Sequence, residues 1–296
     1  MAASIAALSS VTIGVHDLEQ AVAFYTGPWA LTEVAREPGT VYLRAAGTEP
    51  YVLCLKSAAE RLIEARFRCH SRAAMLDLHA ALAKAQVSDL TDPAALQTPG
   101  GGVGFAFTDD EGRRFVVCAD LAMIATQAAA NDRPVKISHL VLNSNDVDRS
   151  CAFFAEMLGF RLSDSTRMMS FMRCNTDHHS VAFARTGNVS LNHIAFEMPS
   201  WDGLMRGAGR MKESGHRMEW GLGRHGPGAN VFAYYLDPEG MAVEYTAEVQ
   251  QIVDEAAHHV GTPDEWVRPA NRMDQWGYSD PPSQAMQNAM HGDSPH

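Results

Sequence analysis

The sequence predicts an α+β protein of two related halves, each built from two strand–helix–strand–strand–strand modules and closing into curled mixed sheets with helices outside. Three observations predict it. Leu8–Tyr25 and Ile137–Phe154, about 130 residues apart, share one pattern: an alternating strand, a capping Asp (Asp17, Asp146), then a helix with an aromatic pair. The halves match again at their ends, where Asp109-Asp-Glu-Gly-Arg-Arg-Phe-Val116 parallels Asp237-Pro-Glu-Gly-Met-Ala-Val-Glu244. Each half also divides internally into two segments that read strand, helix, then several strands.

In order, residues 1–127 form the first half, with modules Leu8–Leu55 and Arg61–Ala119 and a second helix over Ala73–Lys84. Gly100–Gly104 lacks the strand-to-helix context and the Lys of a phosphate loop, so it reads as a hairpin connection. Arg61, Arg66, Arg68 and Arg72 read as a solvated or interface surface. A junction near Ala128–Pro134 leads into the second half, residues 134–250, with modules Ile137–Ala184 and Leu191–Tyr245 and a helix over Leu204–Ser214. Its last strands form a hairpin: Val231–Leu236 is aromatic and β-branched, Asp237-Pro-Glu-Gly240 is turn chemistry, and Met241–Thr246 runs extended again.

Residues 251–296 form a tail. Glu248–His258 suggests a short helix, on which His258 and His259 sit exposed and without partners. Thr262–Gly277, carrying Trp266, Arg268, Arg272 and Trp276, reads as irregular chain wrapped on the surface or over a site mouth. From Tyr278 onward the polar, Pro-rich composition predicts disorder, with His291 and His296 incidental.

Composition excludes several classes. Lys plus Arg number 24 against 35 Asp plus Glu, a net charge of −11, which opposes a nucleic-acid or anionic-membrane partner. No apolar run reaches a membrane-spanning length, and no signal peptide is expected. Five scattered cysteines without a Cys-x-x-Cys pair read as buried free thiols of a reducing cytoplasm.

Chemistry concentrates in the second half. Strand alternation puts Ala242, Glu244 and Thr246 on one face, so Glu244 sits among apolar neighbours. A buried carboxylate needs a cation, and the hairpin holds no Lys or Arg. A metal ion is the expectation. His139 and His193 lie on the first strands of the third and fourth modules, where the repeat can bring them together. Two imidazoles and a carboxylate with open positions make a facial triad, which suits non-haem Fe(II), with Mn(II) as a substitute. The first half has Ser10 in place of His139 and Val116 in place of Glu244, and the counterpart of His193 falls within a residue of Ala65. Ligand types are thus expected to be absent there, and the first half is expected to be metal-free.

These residues, with Gly221-Leu-Gly-Arg-His225, Tyr234 and Asp237-Pro-Glu-Gly240, carry a resemblance over about residues 8–250. The chain resembles the type I extradiol ring-cleavage dioxygenases of the vicinal oxygen chelate superfamily, such as the dihydroxybiphenyl and catechol 2,3-dioxygenases. The resemblance implies Fe(II) on His139, His193 and Glu244, an acid–base histidine at His179, and substrate contacts from His225 and Tyr234. It implies a catecholic substrate and O2 as partners. Pro227 and Gly228 depart from the polar residues some relatives carry there. A neutral imidazole near pH 7 suits proton transfer to and from a catechol. His178 and Tyr235, next to His179 and Tyr234, are expected to point the other way, and Val141 and Phe171 to form pocket walls. The competing readings are a glyoxalase-like isomerase and a non-catalytic binding protein of the same superfamily. A homo-oligomer is expected.

Overall fold

The computed structural model describes residues 4–127, 131–266 and 274–292. The first module is β1 (Ile5–Val15), α1 (Leu18–Thr26), β2 (Thr32–Glu37), β3 (Thr40–Arg44) and β4 (Leu53–Ser57). The second is β5 (Leu62–Cys69), α2 (Arg72–Lys84), β6 (Ala94–Ala95), β7 (Val103–Thr108) and β8 (Arg114–Ala119). The third is β9 (Lys136–Ser144), α3 (Val147–Leu158), β10 (Arg161–Ser165), β11 (Met169–Arg173) and β12 (Val181–Arg185). The fourth is β13 (Ser190–Glu197), α4 (Trp201–Glu213), β14 (Trp220–Arg224), β15 (Val231–Leu236) and β16 (Ala242–Ala247). Asp17 and Asp146 cap α1 and α3, accepting from the backbone N of Gln20 (3.0 Å) and Arg149 (3.1 Å).

Two eight-stranded mixed sheets result, ordered β2-β3-β4-β1-β5-β8-β7-β6 and β10-β11-β12-β9-β13-β16-β15-β14. In each, the first strands of the paired modules meet antiparallel at the centre (β1 with β5, β9 with β13), and each also pairs in parallel with its own module's last strand. Alternation divides the second sheet's residues cleanly. Leu140, Leu142, Ile194 and Val243 enter the main core, which is continuous with that of the first half, while His139, Val141, His193 and Glu244 take the other face.

Aromatic contacts join the halves. Trp29, just after α1, stacks on Tyr245 of β16 at 3.9 Å, and Tyr245 Oη donates to Trp29 O at 2.9 Å. Phe154 of α3 packs edge-on against Phe67 and Phe115 of the first sheet. Tyr25 Oη donates to Asp237 Oδ2 at 2.9 Å.

Strand register corrects one sequence expectation in the first half. Ala195 pairs with both His139 and Glu244, as Arg66 pairs with both Ser10 and Val116. The counterpart of His193, two residues back, is therefore Glu64, within the one residue of Ala65 expected, so the expected absence of ligand types fails there. Its cation is Arg66, which is 4% exposed and not a surface residue as expected. Arg66 Nη2 lies 3.3 Å from Glu64 Oε1, Nη1 donates to Thr98 Oγ1 at 2.8 Å, and the guanidinium lies 5.3 Å from the Tyr51 ring centroid.

The tail also differs from expectation. Residues 284–291 are not disordered but form α5 (Gln284–His291), capped by Ser283, with Met286 and Ala289 buried against Trp220, Phe232 and Tyr234. No helix covers Glu248–His258. Glu248 takes φ +58°, and the following backbone pairs instead with the 176–178 segment, Ile252 N donating to Thr176 O at 2.7 Å. His258 and His259 are accordingly off any helix and have partners: their Nε2 atoms lie 2.9 Å from Ser163 O and 2.7 Å from Glu265 Oε1. Ala128 in the junction, Arg268, Arg272 and His296 lie outside the described residues. Among the described residues, no helix is long and apolar enough to cross a membrane.

Candidate functional site

Because β9, β13 and β16 are neighbours, His139, Ala195 and Glu244 form one row across the sheet, and His193 rises from the same face one pleat along. The small Ala195 leaves the space between them open. Ligand atoms of His139, His193 and Glu244 lie within 4.8 Å of one another, all on buried residues. His139 Nε2 is 3.1 Å from Glu244 Oε2, and His193 Nε2 is 3.3 Å from the same oxygen but makes no hydrogen bond.

This donor set fits a divalent ion. An orphaned imidazole nitrogen beside a carboxylate with no exposed surface is the arrangement a bound cation would satisfy. Burial alone would raise the Glu244 carboxyl, but His139 and then His193 hold it below the usual carboxylate range, so it is an anion. Burial lowers His193 despite Glu244, leaving the neutral imidazole that metal coordination requires.

Side chains behind the set orient it. His193 Nδ1 donates to Asn192 Oδ1 at 2.7 Å, which directs Nε2 toward Glu244. Asn192 Nδ2 in turn donates to Met290 O (2.8 Å) and Asn143 Oδ1 (2.9 Å). Asn230 Nδ2 donates to Thr246 Oγ1 at 2.7 Å, beside Glu244.

A cavity of about 450 Å³ opens over this face. His139 and His193 line its floor together with His179, His225 and Tyr234, and Glu244 lies beneath. Val141 and Phe171 form part of its apolar wall, with Trp220, Met168 and Met169. Pro263, Trp266 and Met290 contribute from the tail, and Pro227 from the loop after His225. Each site residue expected from the sequence is thus in or directly under one cavity.

His179 has its ring centroid 4.2 Å from that of His139, and burial holds its pKa well below the usual histidine value. Tyr234 Oη lies 3.1 Å from His225 Nε2. Burial, then Glu244, pushes the Tyr234 phenol well up, so it stays protonated and able to donate. Tyr235 points to the opposite face and packs on Trp29 and Tyr245, as alternation on β15 requires. His178 does not point away from His179. Their Nδ1 atoms are 3.0 Å apart, because both precede β12 and strand alternation does not apply to them.

Pro263 and Trp266 lie in the Thr262–Gly277 segment expected on the surface or over a site mouth, whereas Asn192, Asn143, Asp164 and Met290 had no motif to announce them. The one available signal was position: Asn192 immediately precedes His193.

Known proteins provide independent comparisons. Residues 136–245 match the Glyoxalase/Bleomycin resistance protein/Dioxygenase superfamily. Metapyrocatechase 2 of Cupriavidus necator is 34% identical over 40% of this chain and 38% of its own. An iron-dependent extradiol dioxygenase of Rhodococcus jostii is 28% identical over 48% of this chain and 50% of its own. The chain therefore spans half or less of the length of these two relatives. A solved Mn(II)-bound glyoxalase from Novosphingobium aromaticivorans superposes with a TM-score of 0.88 at 35% identity, covering 99% of this chain and 95% of that one. Homoprotocatechuate 2,3-dioxygenase of Arthrobacter globiformis shares the fold at 22% identity and a TM-score of 0.80, covering 93% of this chain and 88% of that one.

Proposed function

The chain belongs to the Glyoxalase/Bleomycin resistance protein/Dioxygenase superfamily, and on that premise we propose that it is an extradiol dioxygenase, cleaving a catecholic ring beside its diol with O2 at a non-haem Fe(II). His139, His193 and Glu244 are the ligands in this reading, within a catalytic domain over 134–250, and residues 1–127 form a metal-free partner domain. The observation that carries it is the grouping of His179, His225 and Tyr234 around the same cavity as the ligand set.

Fe(II) bound there would bring a catecholate and dioxygen together and pass electrons between them. The chain's own residues do the rest. His179, neutral and buried, accepts a proton from a catechol hydroxyl and returns it as the ring opens. Tyr234 donates its phenol hydrogen to the second catechol oxygen, and His225, 3.1 Å from that phenol, holds it in place and touches the diol edge. Val141 and Phe171 pack on the ring and help exclude water, while the cavity extends beyond one ring toward Met168 and Trp266, leaving room for an apolar substituent.

Mn(II), present in the Novosphingobium relative, is the substitute metal. A glyoxalase-like isomerisation or simple ligand sequestration would make no use of the His179–His225–Tyr234 group. Buried thiols at Cys54, Cys69, Cys118 and Cys174 support a reducing compartment, the cytoplasm. The apolar content of the repeated sheets supports a homo-oligomer, and light scattering showing only monomer at micromolar concentration would refute that.

The test is anaerobic Fe(II) loading followed by a panel of catechols and 18O2. Both labelled atoms should enter a ring-opened product. Iron-replete protein that consumes no oxygen with any catechol would overturn the proposal.

A further inference from the structure

Two side chains behind the cavity, Asp164 and His178, form a line to His179 that the proposed reaction has not yet used. Asp164 on β10 is buried, and its Oδ1 accepts from Gly261 N at 2.6 Å and from Trp266 Nε1 at 3.2 Å. Its Oδ2 lies 2.7 Å from His178 Nε2. His178 has no exposed surface, and its Nδ1 is 3.0 Å from His179 Nδ1. The neighbouring backbone is shaped to this packing. Gly228 takes φ +77°, and a Cβ there would sit 3.0 Å from His178 Nδ1.

The direction of each hydrogen bond follows from what each group can do. A carboxylate only accepts, so His178 Nε2 carries the hydrogen. Burial outweighs Asp164 and holds the His178 ring below its ordinary pKa, in the neutral form. Its Nδ1 is then a lone pair, and the contact with His179 exists only if His179 Nδ1 donates. A neutral His179 protonated at Nδ1 has one lone pair, on Nε2.

We propose that Asp164 and His178 are positioning residues that fix the tautomer of His179, so that its Nε2 is presented to the cavity as the proton acceptor. The use made of that lone pair rests on the extradiol reading; the tautomer itself does not.

Asp164→Asn tests it sharply. Gly261 N and Trp266 Nε1 both need an acceptor at Oδ1, so the amide oxygen is held there and the amide NH2 is turned to His178. His178 Nε2 must then accept, its Nδ1 must donate, and His179 Nδ1 must accept in turn. The His179 proton is driven to Nε2, the wrong nitrogen for a base. In serine proteases the same Asp-to-Asn logic at one imidazole lowers kcat about 10⁴-fold.

The measurement is a long-range 1H–15N correlation on histidine-15N-labelled protein loaded with diamagnetic Zn(II), with His179 assigned by its loss in His179→Gln. Wild type should show His179 protonated at Nδ1 and Asp164→Asn should show it protonated at Nε2. His178→Phe, which fills the space without an acceptor, should give mixed tautomers and serves if Asp164→Asn misfolds. On the iron-loaded protein, Asp164→Asn should lower kcat by about 10- to 10³-fold with KM and iron content unchanged. A His179 protonated at Nε2 in wild type, or at Nδ1 in Asp164→Asn, overturns the inference. Should wild type turn over no catechol, the extradiol reading fails while the spectra still decide the tautomer.

Discussion

Asn192 Oδ1 accepts from His193 Nδ1 at 2.7 Å, so the residue beside a proposed ligand selects which of its nitrogens is free. The same amide donates to the carbonyl of Met290, at the end of α5, so one side chain links the tail helix directly to His193. Asn192→Ala should therefore weaken metal binding about 10- to 100-fold while leaving the fold intact. Competition with a graded chelator, alongside circular dichroism, measures both. Removing residues after Pro282 should shift affinity the same way, and unchanged affinity in both variants would show that the contact does not orient His193.

Loss of any one proposed ligand should have a larger effect. His139→Ala, His193→Ala and Glu244→Ala should each abolish stable metal retention and turnover together, since a three-ligand centre has no spare donor. Elemental analysis of wild type should give about one ion per chain. A second ion held by residues 1–127, or full occupancy in Glu244→Ala, would contradict the assignment.

His179→Gln should separate binding from chemistry. Its ring contacts His139 but contributes no atom to the His139–His193–Glu244 set. The variant should keep its metal and bind catechol anaerobically, with the chemical step slowed by about two to four orders of magnitude. His225→Gln and Tyr234→Phe should instead weaken catechol binding as well as slow turnover, because both are expected to touch substrate. Metal loss from His179→Gln would make it a ligand.

The fourth prediction concerns pH and the junction between the halves. Burial pushes the Asp237 carboxyl up to about 6, more than the hydrogen bonds from Met241 N, Tyr25 Oη and Glu239 N bring it back down. An unfolded Asp titrates near pH ~3.9, so between roughly 4 and 6 the folded state keeps a proton the unfolded state has lost. Stability from this group is complete below that window and lost as pH rises through it. Asp237→Asn should remove the loss, gaining on wild type by on the order of 2–3 kcal/mol from pH ~4 to ~6 and no further above. Urea unfolding of both proteins across that range is the measurement, and parallel curves would refute it.

Much of this architecture could be read from the chain before its structure. Module boundaries were legible because a duplicated sequence displays each strand, cap and helix more than once, and the facing of Tyr234 and Tyr235 because strand alternation is strict. The tail helix was not. Met286, Ala289 and Met290 are spaced for one helical face, but their Pro-, Ser- and Gln-rich surroundings match the composition of disordered chain. His178 was misplaced by applying alternation to a segment that is not a strand. Asn192 and Asp164 looked like ordinary polar residues. The backbone groups that hold them in place, Met290 O and Gly261 N, lie 98 and 97 residues away, which local pattern cannot supply.

Arg66 beside Glu64 has a consequence for how the protein comes into being. In the first half the counter-charge for the strand carboxylate is tethered to the chain two residues along, whereas the cation proposed for Glu244 in the second half comes from solution. The charge balance of the first half is thus complete under metal starvation, while its core is finished only when Phe154 and Tyr245 of the second half pack on it. Tyr245, which stacks on Trp29 of the first half, is the neighbour in sequence of Glu244. On the proposed reading, scarcity of metal is felt in the charge balance of one half of the molecule alone.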